Sequence, residues 1–478
     1  MNKISFQTLL IIAIFSLKPG FAQISATTST SKQVTLPNGW KLSPAGRSLP
    51  LGDLPLNMAL SKNGEYLAVT NNGESTQSLQ LIDPKNEVLL DSLELAESWY
   101  GLTFSKNSKH LYVSGGNKNY ILDFRIKKGK IVPQDTISLG KPWPKNKISP
   151  TGIAVTKNSR FLYAVTKEDN SVYKVELPSG KILDTTKLPV MAYSCKLSPK
   201  EGKLYVSLWG KDEVAVYNTQ TTKVEKMITV GSHPNEMLLN KKGTLLFVAN
   251  ANDNSVSVIN TASNKVLETL STSLYPTDLT GSTTNGIALS EDENTLYIAN
   301  ADNNNLAVFD VSNPGNSKSK GFIPVGWYPT NVKVSKDKIL VTNGKGFSSQ
   351  ANPYGPQPVS KEDNSSYQKG DTTAELQYIG SLFKGTLSFI EAPDAETLKT
   401  YTKQVYANTP FHGNDSIQKY FEKNPIPSKP GGPTPIKYVF YIIKENRTYD
   451  QIMGDVKKGN GEDSLCIFGR RITPNHHA

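Results

Sequence analysis

Glu445 and Asn446 follow the apolar run Val439–Ile443, with Lys444 between, in Pro435-Ile-Lys-Tyr-Val-Phe-Tyr-Ile-Ile-Lys-Glu-Asn-Arg-Thr-Tyr-Asp450. A carboxylate beside an amide, with Thr448 and Asp450 close behind, offers the hard oxygen ligands that a divalent cation takes. The apolar run predicts a strand buried on both faces, as in a parallel sheet, and open α/β sheets place ligands at the carboxyl ends of their strands. A helix-like stretch comes next. Taken alone, Lys-Glu-Asn is a common surface string, and the neighbouring pair His476 and His477 reads as readily as loop residues as site residues.

The longer pattern is more specific. The segment Ile436–Ala478, with Ile442-Ile-Lys-Glu-Asn-Arg-Thr-Tyr-Asp450, Gly459-Asn-Gly461 and Thr473-Pro-Asn-His-His-Ala478, resembles the N-terminal start of the phosphoesterase family in the alkaline phosphatase superfamily. That family includes non-specific phospholipases C and acid phosphatases. The resemblance implies a hydrolase of phosphate esters that depends on a divalent metal, with Glu445 and Asn446 among the metal ligands. His476 and His477 are carried along as candidate site residues without an assigned role. The family's Ser or Thr nucleophile and its later Asp and His ligands would fall beyond residue 478. The expected unit is therefore the first strand and helix of an incomplete α/β domain, and the chain as it stands is expected to be inactive.

Positioning these residues is the task of a much longer region. With 478 residues, the chain exceeds one ordinary domain, although a large β-propeller can absorb most of it. Met1-Asn-Lys3, the apolar stretch Leu9–Leu17 and Gly20-Phe-Ala22 read as a secretory signal, residues 1–22, with cleavage after Ala22. The stretch is too short for a stable span, and no transmembrane segment is expected in the mature chain. The expectation is a secreted or periplasmic protein with a lead-in over residues 23–45.

Internal repetition governs the region from residue 46 to residue 410. One unit runs Asn285–Ser290, Leu296–Asn300, Leu306–Asp310 and a last strand near Gly321–Gly326, with polar turns between. Its second strand recurs as Tyr66–Thr70, Leu111–Ser114, Leu162–Thr166, Leu204–Ser207, Leu245–Asn250 and Ile339–Asn343. A spacing of about 40–50 residues is the period of a four-stranded propeller blade. Such a sheet buries its faces only against neighbouring blades, so the ring must close. The fold class is mainly β: a seven-bladed β-propeller over residues 46–410. Arg47–Gly52 resembles the last strand of a repeat and is expected to close the ring, with Tyr401–Tyr406 as the competitor for that place. The units resemble YVTN-type repeats, which implies an exported or surface propeller of varied role. An insert at 344–380 divides the seventh unit, and the Pro-rich stretch 411–435 reads as a linker to the segment 436–478.

Several chemistries are excluded. His110 and His233 lack a second histidine at ligand spacing, and no zinc-type cysteine pair, phosphate-cradling loop or nucleophile elbow occurs. The two cysteines, Cys195 and Cys466, fall in different units, and Cys195 occupies an apolar column of the repeat, so a buried thiol is expected. The formal charge of +11 is scattered, which disfavours nucleic acid. Trp99, Trp143, Trp209 and Trp327 lie near strand ends and blade joins, where aromatic residues can line a rim. Two functions stand: an exported propeller fused to a phosphoesterase, with a phosphate-ester substrate, or a non-enzymatic propeller that binds a protein, envelope polymer or nucleic acid.

Overall fold

The computed structural model describes residues 24–28, 33–275, 281–347, 379–410, 425–426, 433–459 and 461–478. Seven antiparallel sheets are arranged as the blades of a propeller. Blade 1 is built from Pro55–Leu60, Leu67–Asn71, Ser78–Asp83 and Val88–Glu94. Blades 2 to 6 repeat this meander, with first strands at Leu102–Phe104, Pro150–Val155, Cys195–Leu197, Pro234–Leu239 and Thr284–Leu289. In blade 7, Trp327–Ser335, Lys338–Gly346 and Thr386–Glu391 supply three strands, and Arg47–Pro50 from the other end of the chain supplies the fourth.

That fourth strand closes the ring. Thr386 to Phe389 pair antiparallel with Pro50 to Arg47, and Leu49 is completely buried. Arg47 adds an ion pair to Glu87 of blade 1, donating from Nε to Oε2 at 2.6 Å, so the closing strand is tied to both sides of the seam. The competing segment is no strand: Ala395–Asn408 forms a helix capped by Asp394, whose side chain accepts from the Thr397 amide at 2.8 Å. It buries Leu398 and Val405 against the outer strand of blade 6, and Thr402 Oγ1 accepts from the Phe322 amide at 2.9 Å. This occupies the outer edge of blade 6 and leaves blade 7 to the N-terminal strand.

The core consists of the surfaces between blades. Strand side chains alternate in direction, so each first strand sends one set to the preceding blade and the other to the next. Met58 packs with Leu49, Leu340 and Leu387 of blade 7, whereas Ala59 packs with Leu102 and Leu111 of blade 2. Every blade thus depends on both neighbours to bury its faces, at roughly 25 cal/mol per Å² of apolar surface removed from water.

A recurrent polar clamp fixes one end of the blades. The second strand carries a fully buried asparagine at its upper end in four of them, Asn71, Asn250, Asn300 and Asn343. Asn250 Nδ2 donates to Ser255 Oγ at 2.9 Å and Ser257 Oγ at 3.0 Å, and Asn343 Nδ2 donates to Thr386 and Ser388 in the same way at 3.1 and 2.9 Å. The amide pins the approach to the third strand. Gly231 and Gly326, each three residues before a first-strand proline, lie against these amides. A Cβ at either would meet the asparagine side chain at 2.6 and 2.7 Å.

The C-terminal segment departs from expectation. Tyr438–Ile443 forms no strand, and the exposure of Val439, Phe440 and Ile443 is 80, 92 and 68%. A strand buried on both faces needs a pairing partner on each edge, and no described residue provides one. The helix expected after it does form, Tyr449–Met453, with Thr448 and Gln451 making a reciprocal capping box. The signal segment, most of the insert and most of the linker lie outside the described residues.

Candidate functional site: the aromatic face and the channel mouth

The meander places the starts of all first strands and the ends of all second strands on one face, the upper face of the ring. Trp99 and Trp143 lie in joins leading into blades 2 and 3, Trp209 follows the second strand of blade 4, and Trp327 opens the first strand of blade 7. All four therefore stand on the upper face. Trp99, Trp143 and Trp209 remain 38, 39 and 37% exposed, well above what core tryptophans show. The fifth tryptophan, Trp40, packs instead against the core between blades 5 and 6.

Neighbouring side chains set the orientation of these rings. Lys147 Nζ lies 4.9 Å from the Trp143 ring centroid, and Lys345 Nζ lies 5.3 Å from that of Trp327 and 4.8 Å from that of Tyr328. Trp209 meets His233 edge-on at 4.9 Å, and Trp327 meets Phe383 edge-on at 5.5 Å. Cation–π and edge contacts hold a ring by its neighbours and leave other surface free to stack.

At the centre of this face the channel opens as a cavity of about 210 Å³, lined by Leu54, Tyr100, Tyr193, Tyr328, Asn235 and Asn285, among others. The Tyr100 and Tyr193 ring centroids are 4.4 Å apart. Burial, reinforced by the charge of Glu236, pushes both phenols above their ordinary range, so their hydroxyls stay protonated. Below them Glu236 accepts from Lys333 Nζ at 2.7 Å, Asn331 Nδ2 at 3.0 Å and the Ile287 amide at 3.2 Å. Asn331 Nδ2 also donates to Asn57 Oδ1 at 3.0 Å, and Asn57 Nδ2 to the Tyr100 carbonyl at 2.6 Å. A larger groove of about 580 Å³ on the lower face lies between turns of blades 1 and 7 and has no tryptophan in its lining.

Neither histidine of the propeller is arranged as the oriented base of a nucleophile among the described residues. His110 Nδ1 lies 2.9 Å from Asp123 Oδ1, but no hydroxyl or thiol is bonded to that ring among the described residues. His233 contacts Ser232 Oγ at 2.9 Å and Asn252 Nδ2 at 3.1 Å, both through Nδ1, and no carboxylate orients it among the described residues. His233 has φ of 54° just before Pro234, the turn position its sequence context suggests.

The candidate metal ligands of the C-terminal segment are not part of this face. Glu445 is exposed and Asn446 adopts a left-handed φ of 68°. His476 Nε2 lies 3.0 Å from Lys444 Nζ, and His477 Nε2 lies 2.7 Å from Asp455 Oδ1. His477 is held above its ordinary pKa by its hydrogen bonds to the Thr473 backbone and to Asp455. Among the described residues no three His, Cys, Asp or Glu side chains converge to hold a cation. Glu445 and Asn446 are not joined by such a group among the described residues. The channel network was not read from the sequence. Its signal is a Glu and a Lys at first-strand positions that are small or apolar in most other repeats.

Comparison with known proteins agrees with the architecture. The chain is similar to the hydrazine synthase of Kuenenia stuttgartiensis, with a TM-score of 0.51 and 15% identity over 60% of this chain and 92% of that one, a likeness of fold alone. No curated protein matches it in sequence. The model of the YNCE-like beta-propeller family matches residues 7–337, and no comparison supports the phosphoesterase resemblance of the C-terminal segment. A match over more than half its length places this chain in the YNCE-like beta-propeller family.

Proposed function

We propose that the chain is a non-enzymatic binding propeller whose upper face receives a glycan of an envelope polymer. The observation that carries this reading is the placement of four tryptophans on one face around a channel mouth, three of them more than a third exposed. Sugar rings present flat C–H faces that stack on indoles, and their hydroxyls suit the Asn, Ser and Asp residues of the intervening loops. The same loops expose Asp253 and Asp302, which would repel a polyanion, so nucleic acid is the poorer ligand. Export through the signal segment 1–22 would bring the protein to such polymers.

Affinity electrophoresis through gels containing soluble peptidoglycan, chitin-type or other envelope polysaccharides tests the reading. Retardation in at least one gel, lost in the W99A/W209A double variant, is expected. Equal mobility with and without every polymer, or retardation unchanged in the double variant, would sink it.

A second reading concerns the tail. The run Tyr438–Ile443 is exposed throughout, and covering it requires strands from elsewhere. We infer that this run is the first strand of a phosphoesterase sheet, with Glu445 and Asn446 contributing to a divalent metal site once the remaining ligands are supplied. Reading the coding sequence past Ala478 and assaying the resulting protein for metal-dependent hydrolysis of p-nitrophenyl phosphate tests it. An open frame without hydroxyl nucleophile and Asp/His ligands would remove this reading and leave the binding propeller intact.

A further inference from the structure

The lower half of the channel carries a feature that neither reading uses. The first strands can be aligned by their pairing with the second strands, with Cys195 opposite Val206, Met237 opposite Val248 and Val332 opposite Val341. One residue beyond these core positions, five blades carry an uncharged side chain, which in three of them is alanine, at Ala59, Ala154 and Ala288. The remaining two carry lysine, Lys196 in blade 4 and Lys333 in blade 7. Both lysines line a cavity of about 440 Å³ that opens toward the lower face, with Glu236 at its inner end.

The lining carries three lysines and three glutamates, but they are unevenly placed: at the inner end Lys196 and Lys333 face Glu236 alone, while Lys241, Glu291 and Glu293 stand at the rim. Lys333 is committed, with Nζ 2.7 Å from Glu236 Oε1 and 2.7 Å from Asn331 Oδ1. The Lys196 side chain makes no hydrogen bond or ion pair among the described residues, yet it is close to Lys333: burial above all, with the charge of Lys196 adding to it and that of Glu236 opposing, holds Lys333 below the ordinary lysine pKa. Other charges in the lining belong to the rim and are engaged there. Glu293 Oε1 accepts from the Lys241 amide at 2.5 Å, Glu291 Oε1 accepts from the Lys336 amide at 3.1 Å, and Lys241 Nζ donates to the Glu291 carbonyl. One carboxylate faces two ammonium groups at the inner end, so one positive charge is left over in a walled, partly desolvated space. An anion there would gain charge-assisted hydrogen bonds and relieve the repulsion between the lysines.

We propose that this lower vestibule is a binding site for a small oxyanion, the carboxylate or phosphate group of a metabolite-sized ligand, held between Lys196 and Lys333. Ala288, the small residue at the equivalent position of blade 6, lines the cavity and leaves room for such a group, and entry is from the lower face, with Glu236 standing between this cavity and the channel mouth above.

Isothermal titration of the full chain with inorganic phosphate and with malonate, in low-salt buffer free of other oxyanions, tests the proposal. Saturable one-to-one binding of at least one anion is expected. Affinity should fall about tenfold in K196M, as loss of a charge-assisted contact predicts, stay near wild type in K196R, and be unchanged in K241M at the rim. Because Lys196 has no partner to orphan, K196M should melt like the wild type. Absence of saturable binding of both anions, wild-type affinity in K196M, or an equal loss in K241M would each overturn the proposal.

Discussion

Glu236 of blade 5 and Lys333 of blade 7 meet at 2.7 Å across the channel, with blade 6 between them. The contact skips a blade because the intervening position is Gly286, whose backbone packs so closely on blade 7 that a Cβ would lie 2.6 Å from the Asn331 Cα. With no side chain at Gly286, Glu236 reaches the Ile287 amide and then the two blade 7 side chains. The Glu236 side chain is 5% exposed and that of Lys333 22%, so the pair acts as a cross-brace in a site of restricted solvent. Breaking such a pair costs more than forming it contributes, because the remaining partner is left charged and unpaired.

Removing one end of the brace should therefore be costly. E236L is expected to lower stability by about 3 kcal/mol, while E236L/K333M should recover most of that loss because no lone charge remains. Urea unfolding of the two single variants and the double variant checks this. Additive losses in the double variant would mean that the pair contributes no coupling.

The closing strand predicts a second outcome. Leu49 is fully buried between Met58, Leu340 and Leu387, so L49A should cost about 3 kcal/mol through lost burial and an unfilled cavity. Removing residues 1–52 should do more, by exposing the edge of Thr386–Glu391 and both faces at the seam. Limited proteolysis and thermal melting would register early cleavage in blade 7 and a broadened transition. A melt identical to that of the intact chain would show that the strand is dispensable.

Acid should loosen the same seam. Hydrogen bonds from Arg47, and then from Lys338, hold Glu87 below its ordinary value of 4.5 despite the opposing effect of burial. A carboxylate whose pKa is depressed in the folded state stabilises the fold above its unfolded pKa. That contribution is lost as pH falls below about 4.5 and through the lower folded value. In E87Q the acid limb of the stability profile should be shallower than in the wild type, measured by urea midpoints from pH 7 to pH 3. Parallel acid limbs would place the titration elsewhere.

The two thiols should differ sharply in reactivity. Cys195 is 3% exposed in the core between blades 3 and 4, and burial pushes its thiol up to about 12, whereas Cys466 is partly exposed. The native protein should release about one equivalent quickly from a disulfide reagent such as DTNB, with the second appearing only on unfolding. A C466S variant that still reacts quickly would contradict the burial of Cys195.

Much of the propeller is legible in the residues. Leu296–Asn300 and its six counterparts have the alternation and turn chemistry of half-buried strands, and their period counts the blades because each blade is one local meander. The closing role of Arg47–Gly52 was readable as well, since that stretch has the pattern of a fourth strand without the preceding three. Tyr401–Tyr406 misled because a short apolar-polar alternation fits either period; the cap at Asp394 and the packing of Leu398 and Val405 on blade 6 made it helix. Val439–Ile443 shows the same limit from the other side. Its composition is that of a buried strand, but composition cannot supply neighbours, and without them the run stays exposed and unpaired.

The sequence by itself determined the repeat, the number of blades and the burial of Cys195, because these come from short-range periodicity. The shared face of Trp99, Trp143, Trp209 and Trp327 follows from the repeat as well, but only the tertiary structure decided that Trp99, Trp143 and Trp209 stay more than a third exposed there, since that depends on what the neighbouring loops cover. The convergence of Glu236, Asn331, Lys333 and Lys196 was likewise decided there. These residues lie in three different repeats, and no local pattern couples them. They meet because closing the ring carries the first strands of blades 4, 5 and 7 to a common axis, where a missing side chain at Gly286 lets one charge reach another.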